Sequence, residues 1–303
     1  IYAVTFAGPF PEKAKFSLEL PPGLKDDASR KLVNANQFPL AVRTGDNPPL
    51  AKFSGRFGIL ESKTGALLPV TVRNLEASLK LSTLDAARNV TGKVLNIKAD
   101  RGRNIQAWLR KVATVSRTQS ILTGSPSAQR FSLPKPNGAK AFEVIGVPLG
   151  RPGFYVVELE SRVLGKALLD KDLPMRVQTT ALVTNMAAHF KQGRESSLVW
   201  VTTLDRAEPV SGADVTIRDC QDQMIWQGKT NSDGIAFIKR KLTDESKLPY
   251  CSFKEDENHD WRYDESYPLS GLQGGLFVTA QKGDDLTFVH SSWDEGIEPW
   301  RFQ

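Results

Sequence analysis

The sequence predicts an all-β chain of tandem antiparallel β-sandwich domains, with one short helical insertion. Three observations carry this reading. Apolar, β-branched and aromatic residues come in short runs, several of them alternating with polar neighbours as on a half-buried strand. Clusters of Pro, Gly, Asn and Asp separate these runs at roughly 8–12-residue intervals, the rhythm of a sandwich. One segment, in the middle of the chain, carries helical periodicity instead.

Length sets the number of domains. At 303 residues the chain is too long for one ordinary sandwich, and roughly 100–150 residues per domain gives two or three. The first, 1–62, reads as a small β domain, incomplete at its N-terminus. Its strand-like runs are Tyr2–Phe6, Phe16–Leu20, Phe38–Val42 and Leu50–Phe57, broken by Pro9-Phe10-Pro11, Pro21-Pro22-Gly23 and Pro48-Pro49. The second, 63–177, opens on Leu68-Pro69-Val70-Thr71-Val72. Ile105, Trp108, Leu109 and Val112 then recur at helical spacing, which predicts a helix over 101–115 with Asp100 as its cap and Trp108 as a core anchor. A polar loop follows over 122–136, then strands at Ala141–Val147 and Gly153–Leu159.

The third domain, 178–303, has the clearest pattern. Leu182–Thr184 and Ala187–Phe190 open it, and Leu198–Thr202 is a buried-type strand. Val215 and Ile217 alternate with polar neighbours. Met224–Trp226 and Ile235–Phe237 flank Asn231-Ser232-Asp233-Gly234, whose residue types suit a tight turn more simply than a calcium loop. Leu276–Ala280 and Leu286–His290 form a hairpin around Lys282-Gly283-Asp284-Asp285.

Charge and composition remove several function classes. The net charge is +6, but Lys and Arg are dispersed and interrupted by acids, as in Lys254-Glu255-Asp256-Glu257. No basic run with interleaved aromatics is present, so nucleic acid is not an expected partner. No run of 18 apolar residues exists, so no helical membrane span is expected. The start at Ile1, with no leader pattern, is expected to mark an excised fragment.

Catalytic chemistry is poorly supplied. The three histidines are His189, His259 and His290, and G-x-S-x-G, H-E-x-x-H and the phosphate-loop motif are all missing. His189 sits in a strand-like run and reads as structural. His259 lies among Glu255, Asp256, Glu257 and Asp260, oxygen donors that could hold calcium but do not follow the calcium-loop pattern; a solvated acidic loop is the simpler reading. No metal or cofactor is expected. Trp261, Trp293 and Trp300 could anchor a partner or a sugar, or cover the end of a sandwich. Cys220 and Cys251 are 31 residues apart in one predicted domain, without zinc-site spacing. They form either an intradomain disulfide, which the reading favours and which implies an oxidising compartment, or two free buried thiols.

The run Leu182–Lys191, Leu198–Asp205, Pro209-Val210-Ser211-Gly212-Ala213-Asp214-Val215 and Thr230–Gly234 resembles a macroglobulin-like domain of the bacterial α2-macroglobulins. Upstream, Phe38-Pro39-Leu40, Pro48–Phe53, Phe57–Glu61, Arg73–Glu76 and Pro152–Glu158 are similar to the N-terminal region of that family. The resemblance implies macroglobulin-like sandwiches, of the fibronectin-III and immunoglobulin type. It implies a non-catalytic piece of a large periplasmic protease trap, often lipid-anchored to a membrane, that captures a protease once its bait region is cut. Proteases are then the expected partners, through the full-length parent, with other periplasmic or cell-wall proteins besides. The bait segment is expected beyond residue 303. Some members carry a Cys–Gln thioester. Cys220-Gln221-Asp222-Gln223 has that spacing, but Asp222 replaces the family's Glu, and the family's thioester lies in a later helical domain.

Two other readings compete. In an independent carbohydrate-binding or adhesin-like module, Trp261, Trp293 and Trp300 would form a solvent-facing platform. In a hydrolase, His259 or His290 would lie within about 3.2 Å of both a carboxylate and a nucleophilic hydroxyl.

Overall fold

The computed structural model describes residues 5–85, 97–123, 128–134, 142–169, 172–252 and 271–293. The chain divides into two compact units, Ile1–Pro49 and Leu50–Gln303.

The smaller unit is built around a two-stranded antiparallel sheet. Strand β1 (Lys15–Leu18) pairs with β2 (Leu40–Arg43), with Phe16 opposite Val42. None of the described residues of this unit is buried. Local polar bonds hold it instead: Asp26 accepts from the Ala28 and Arg30 backbone N–H groups, and Lys13 pairs with Asp46 at 2.7 Å. The strand expected at Tyr2–Phe6 is not formed at Thr5–Phe6, and its first residues lie outside the described set.

The larger unit begins with β3 (Leu50–Phe53) and β4 (Phe57–Glu61). The sequence reads Leu50–Phe57 as one strand. The structure breaks it at 54–56 and sends its halves to different sheets. Strands β5 (Leu67–Arg73) and β6 (Ser78–Asp85) follow, then helix α1 (Ile97–Thr114). Next come β7 (Gln129–Pro134), β8 (Glu143–Pro148), β9 (Gly153–Ser161), a short helix α2 (Arg162–Leu168) and β10 (Met175–Thr184). The sheets β3-β5-β8 and β4-β10-β9-β6-β7 face each other. Between them lie Val70, Val72, Leu79, Leu81, Val147, Val157, Leu159 and Val183, all almost fully buried. Pairing is antiparallel throughout this sandwich except for β4 with β10.

Strands β11 (Met186–Gln192), β12 (Ser197–Thr203), β13 (Asp214–Arg218), β14 (Met224–Lys229), β15 (Ile235–Ile238), β16 (Phe277–Lys282) and β17 (Asp285–His290) build a second sandwich. Its sheets are β11-β12-β15 and β14-β13-β16-β17, antiparallel throughout. Val199, Val201, Val215, Ile217, Ile238 and Val278 fill the space between them, each with no exposed surface.

The sequence boundaries shift accordingly. The boundary after 62 falls beyond β3 and β4, which hydrogen-bond into the larger unit. The boundary after 177 falls inside β10, an integral strand of the first sandwich. Helix α1 extends N-terminally past the expected 101–115, so Asp100 lies within it and is not its cap. The loop expected over 122–136 contains β7. Helix α2 was not legible, because seven residues are too few to show an apolar stripe. Polar capping supports it: Ser161 Oγ accepts from Leu164 N at 3.0 Å, and Glu76 accepts from Arg162 N and Val163 N at 2.8 and 3.1 Å.

Candidate functional site at the joint between the sandwiches

Strands β9 and β10 alternate like any strand, yet both of their faces are buried. Val157, Leu159, Ala181 and Val183 face the first core. Phe154, Val156 and Leu182 face the other way, into a third apolar cluster. Ile105, Leu109 and Val112 of α1 join that cluster, with Phe277, Leu286 and Phe288 from the second sandwich. Phe57, Phe154, Phe277 and Phe288 pack with ring centroids 5.1–6.5 Å apart. One apolar layer therefore belongs to both sandwiches.

Asn185 alone separates β10 from β11. Polar groups that the sequence scatters widely converge on it. Asp285 accepts from Thr184 Oγ1 at 2.7 Å and from Asn185 N at 2.9 Å. Thr184 Oγ1 in turn accepts from Met186 N at 2.9 Å. The Asn185 side-chain amide donates to Asp205 at 3.0 Å and accepts from Asp205 N at 3.2 Å. Lys63, on the turn after β4, closes the network on Asp205 at 2.6 Å. That ammonium and the Asn185 amide hold the Asp205 carboxyl well below the usual carboxylate range. These residues are 20 to 142 positions apart in sequence, a separation that leaves no motif to read.

A second corner carries the predicted cysteines. Cys220 and Cys251 are bonded, and among the described residues no cysteine is free. Cys220 is therefore committed to Cys251 and not to Gln223. Cys251 N donates to Gln273 O, Tyr250 reaches the Gln273 side chain, and Arg110 of α1 donates to the Cys220 carbonyl. The disulfide thus ties the 271–273 turn and α1 to the end of β13.

Among the histidines, His189 is an exposed strand residue whose ring lies 5.7 Å from Trp200. His259 lies outside the described residues, as do Trp261 and Trp300. His290 is 1 % exposed. Its Nε2 faces the Gly274 carbonyl at 2.9 Å and so carries the proton, because a carbonyl only accepts. Its Nδ1 accepts from Ser292 N at 3.1 Å and lies 2.7 Å from Ser292 Oγ. Burial pushes its pKa down to about 4, and the nearby Arg110 charge adds to the effect. The ring meets a hydroxyl, but a backbone carbonyl stands where the hydrolase reading needs a carboxylate. Trp293 is half-buried and stacks on Phe57 at 5.5 Å, which takes it out of any solvent-facing platform. The expected turn at 231–234 is formed: Asn231 Oδ1 accepts from Asp233 N and Ile235 N, and Gly234 has φ +75°. No group of three or more metal-ligating side chains occurs among the described residues. No described helix is long and apolar enough to cross a membrane.

Residues 183–303 match the family model of the bacterial alpha-2-macroglobulin MG3 domain. Over these residues the chain is similar to a bacterial α2-macroglobulin domain. The matched segment contains every described strand of the second sandwich and begins two residues before Asn185. Among solved structures, the chain is similar to native alpha-2-macroglobulin from Escherichia coli spanning domains MG0-NIE-MG1, at 15% identity and TM-score 0.49, covering 83% of this chain and 66% of that one. A second Escherichia coli structure, spanning NIE-MG1, gives 15% identity and TM-score 0.49 over 81% of this chain and 98% of that one. Salmonella alpha-2-macroglobulin reacted with methylamine gives 12% identity and TM-score 0.46, covering 83% of this chain and 12% of that one. The chain thus spans just under two thirds of the first of these structures and a small part of the Salmonella protein. No curated protein matches the chain.

Proposed function

We propose that the chain is a non-catalytic scaffold and interaction piece of a bacterial α2-macroglobulin that traps proteases after its bait region is cut. The match of residues 183–303 to an MG3 domain carries this reading. The joint supports it in physical terms. A trap must hold its cleavable and capturing parts in a fixed arrangement until cutting releases them, and stacked sandwiches that share an apolar layer resist relative sliding. The reading places the chain in the periplasm, where the Cys220–Cys251 bond would persist, within a parent that is lipid-anchored to a membrane. Proteases are its partners through the parent, with other periplasmic or cell-wall proteins besides.

The test uses the full-length parent, incubated with a panel of endopeptidases. Capture is read as co-elution of parent and protease on a sizing column. Deleting the segment equivalent to 50–303 is expected to abolish capture. Undiminished capture by the deleted parent would remove the scaffold role.

A further inference from the structure

The outer side of the five-stranded sheet has two halves. Beneath α1 it is apolar, presenting Phe154, Val156 and Leu182. Beyond α1 it is polar and forms an open cleft of about 460 Å³, walled in part by the chain at 120–123. Strands β10, β9, β6 and β7 line it in succession with Arg176, Glu158 and Glu160, Lys80, and Arg130 with Ser132.

Most of these charges are already committed. Glu158 accepts from Ser120 Oγ at 2.6 Å and from Ile121 N at 2.9 Å. Glu160 pairs with Arg176 at 2.7 Å, and the same guanidinium donates to the Thr118 carbonyl at 2.7 Å. Lys80 and Arg130 are different. Both are exposed, both line the cleft, and neither has an ion-pair partner among the described residues. Lys80 lies opposite Ser132 and Ser82 opposite Arg130, so the two cations are diagonal neighbours, about 7–8 Å apart at the backbone. Like charges held side by side repel, and an anion between them removes that cost. The unpaired edge of β7 beside them favours a carboxylate carried on an extended chain over a free phosphate. The sheet order sets the approach. Strand β7 ends the sheet, and its outer edge is unpaired among the described residues. An extended chain pairing there projects alternate side chains onto the face that carries Arg130.

We propose that this cleft binds the acidic side chain of an extended polypeptide laid along β7. The site goes beyond the scaffold role and would operate whether or not the parent traps proteases.

The test titrates the 303-residue chain with a capped peptide of alternating Val and Glu, and with its Val/Gln counterpart, by calorimetry. Sodium glutarate and inorganic phosphate serve as competitors. The Glu peptide is expected to bind about tenfold or more tightly than the Gln peptide, with an affinity that falls as salt rises. Lys80→Met together with Arg130→Met should abolish the preference, while Arg130→Lys should keep part of it; circular dichroism melts confirm that the variants fold. Glutarate should compete and phosphate should not. Equal binding of the two peptides, no binding of either at millimolar concentration, or a preference untouched by the double substitution would overturn the proposal. Competition by phosphate as strong as by glutarate would also overturn it, reducing the cleft to a general anion patch.

Discussion

Replacing Asp285 with Ala tests the joint directly. The carboxylate accepts two hydrogen bonds, from the hydroxyl of Thr184, which has no exposed surface, and from Asn185 N, which is 9 % exposed with its residue. Truncation leaves both donors without an acceptor inside the joint. Hydrogen bonds to a charged group are worth roughly 1.5–3 kcal/mol each. Asp285 itself is only half-buried, which places each bond at the low end of that range and the total near 3 kcal/mol. A unit of this size loses about 2–4 °C of melting temperature per kcal/mol, so Asp285→Ala should melt about 6–12 °C below the parent chain. Asp285→Asn keeps one acceptor oxygen but turns an amide NH2 toward one of the donors, and about half the loss is expected. Two measurements check this: melting followed by circular dichroism, and hydrogen exchange at the amides of Asn185 and Met186, which should exchange faster in Asp285→Ala. A melting temperature within about 1 °C of the parent, with unchanged exchange at both amides, would refute the reasoning.

Three further perturbations have definite outcomes. His290 is depressed to about 4 in the folded chain against 6.5 unfolded, so between these values the unfolded state binds more protons. Stability should therefore be intact above pH 6.5 and decline as pH falls toward 4, by about 3 kcal/mol at most; in urea titrations His290→Phe should flatten this slope, and an identical slope would remove His290 as its cause. Cys220→Ser with Cys251→Ser opens a loop of 31 residues and should cost about 3–4 kcal/mol on the loop-entropy estimate, read from denaturant midpoints; unchanged midpoints would contradict it. Gly234→Ala forces an L side chain to φ +75° and sets its Cβ 2.4 Å from the Val201 carbonyl, so a loss of about 2 kcal/mol or more is expected, and a melting temperature equal to the parent's would show that the turn relaxes freely.

Strands at the outer layers were legible because one face is wet. Val215 and Ile217 alternate with polar residues, and the 231–234 turn uses residue types that only a few backbone conformations favour. The helix was legible through Ile105, Leu109 and Val112, which share one buried face. Elements buried on both faces were harder to bound. Strand β10 carries Arg176 and Gln178 in its first half and the apolar residues Ala181, Leu182 and Val183 in its second, so it reads as a polar end followed by a new strand, and the sequence boundary falls seven residues early. The joint itself was not legible. Lys63, Asn185, Asp205 and Asp285 are ordinary surface residue types in sequence, and only the topology brings them together. The cysteines were legible as a pair, whereas the fate of His290 depended on its burial and on which acceptor its ring would meet.

The one-residue passage through Asn185 has a mechanical consequence. A single residue offers two soft torsions and no slack, so the second sandwich cannot be drawn away along the chain. The shared apolar layer and the Asp285 hydrogen bonds resist its turning about that point. With no slack to take up, a pull on the β11 end reaches the hydrogen bonds of β10 at once. Tension there is shared with β9 and β4 on either side. Yielding should then begin with peeling of the Phe57–Phe288 aromatic contact and not with stretching of a tether.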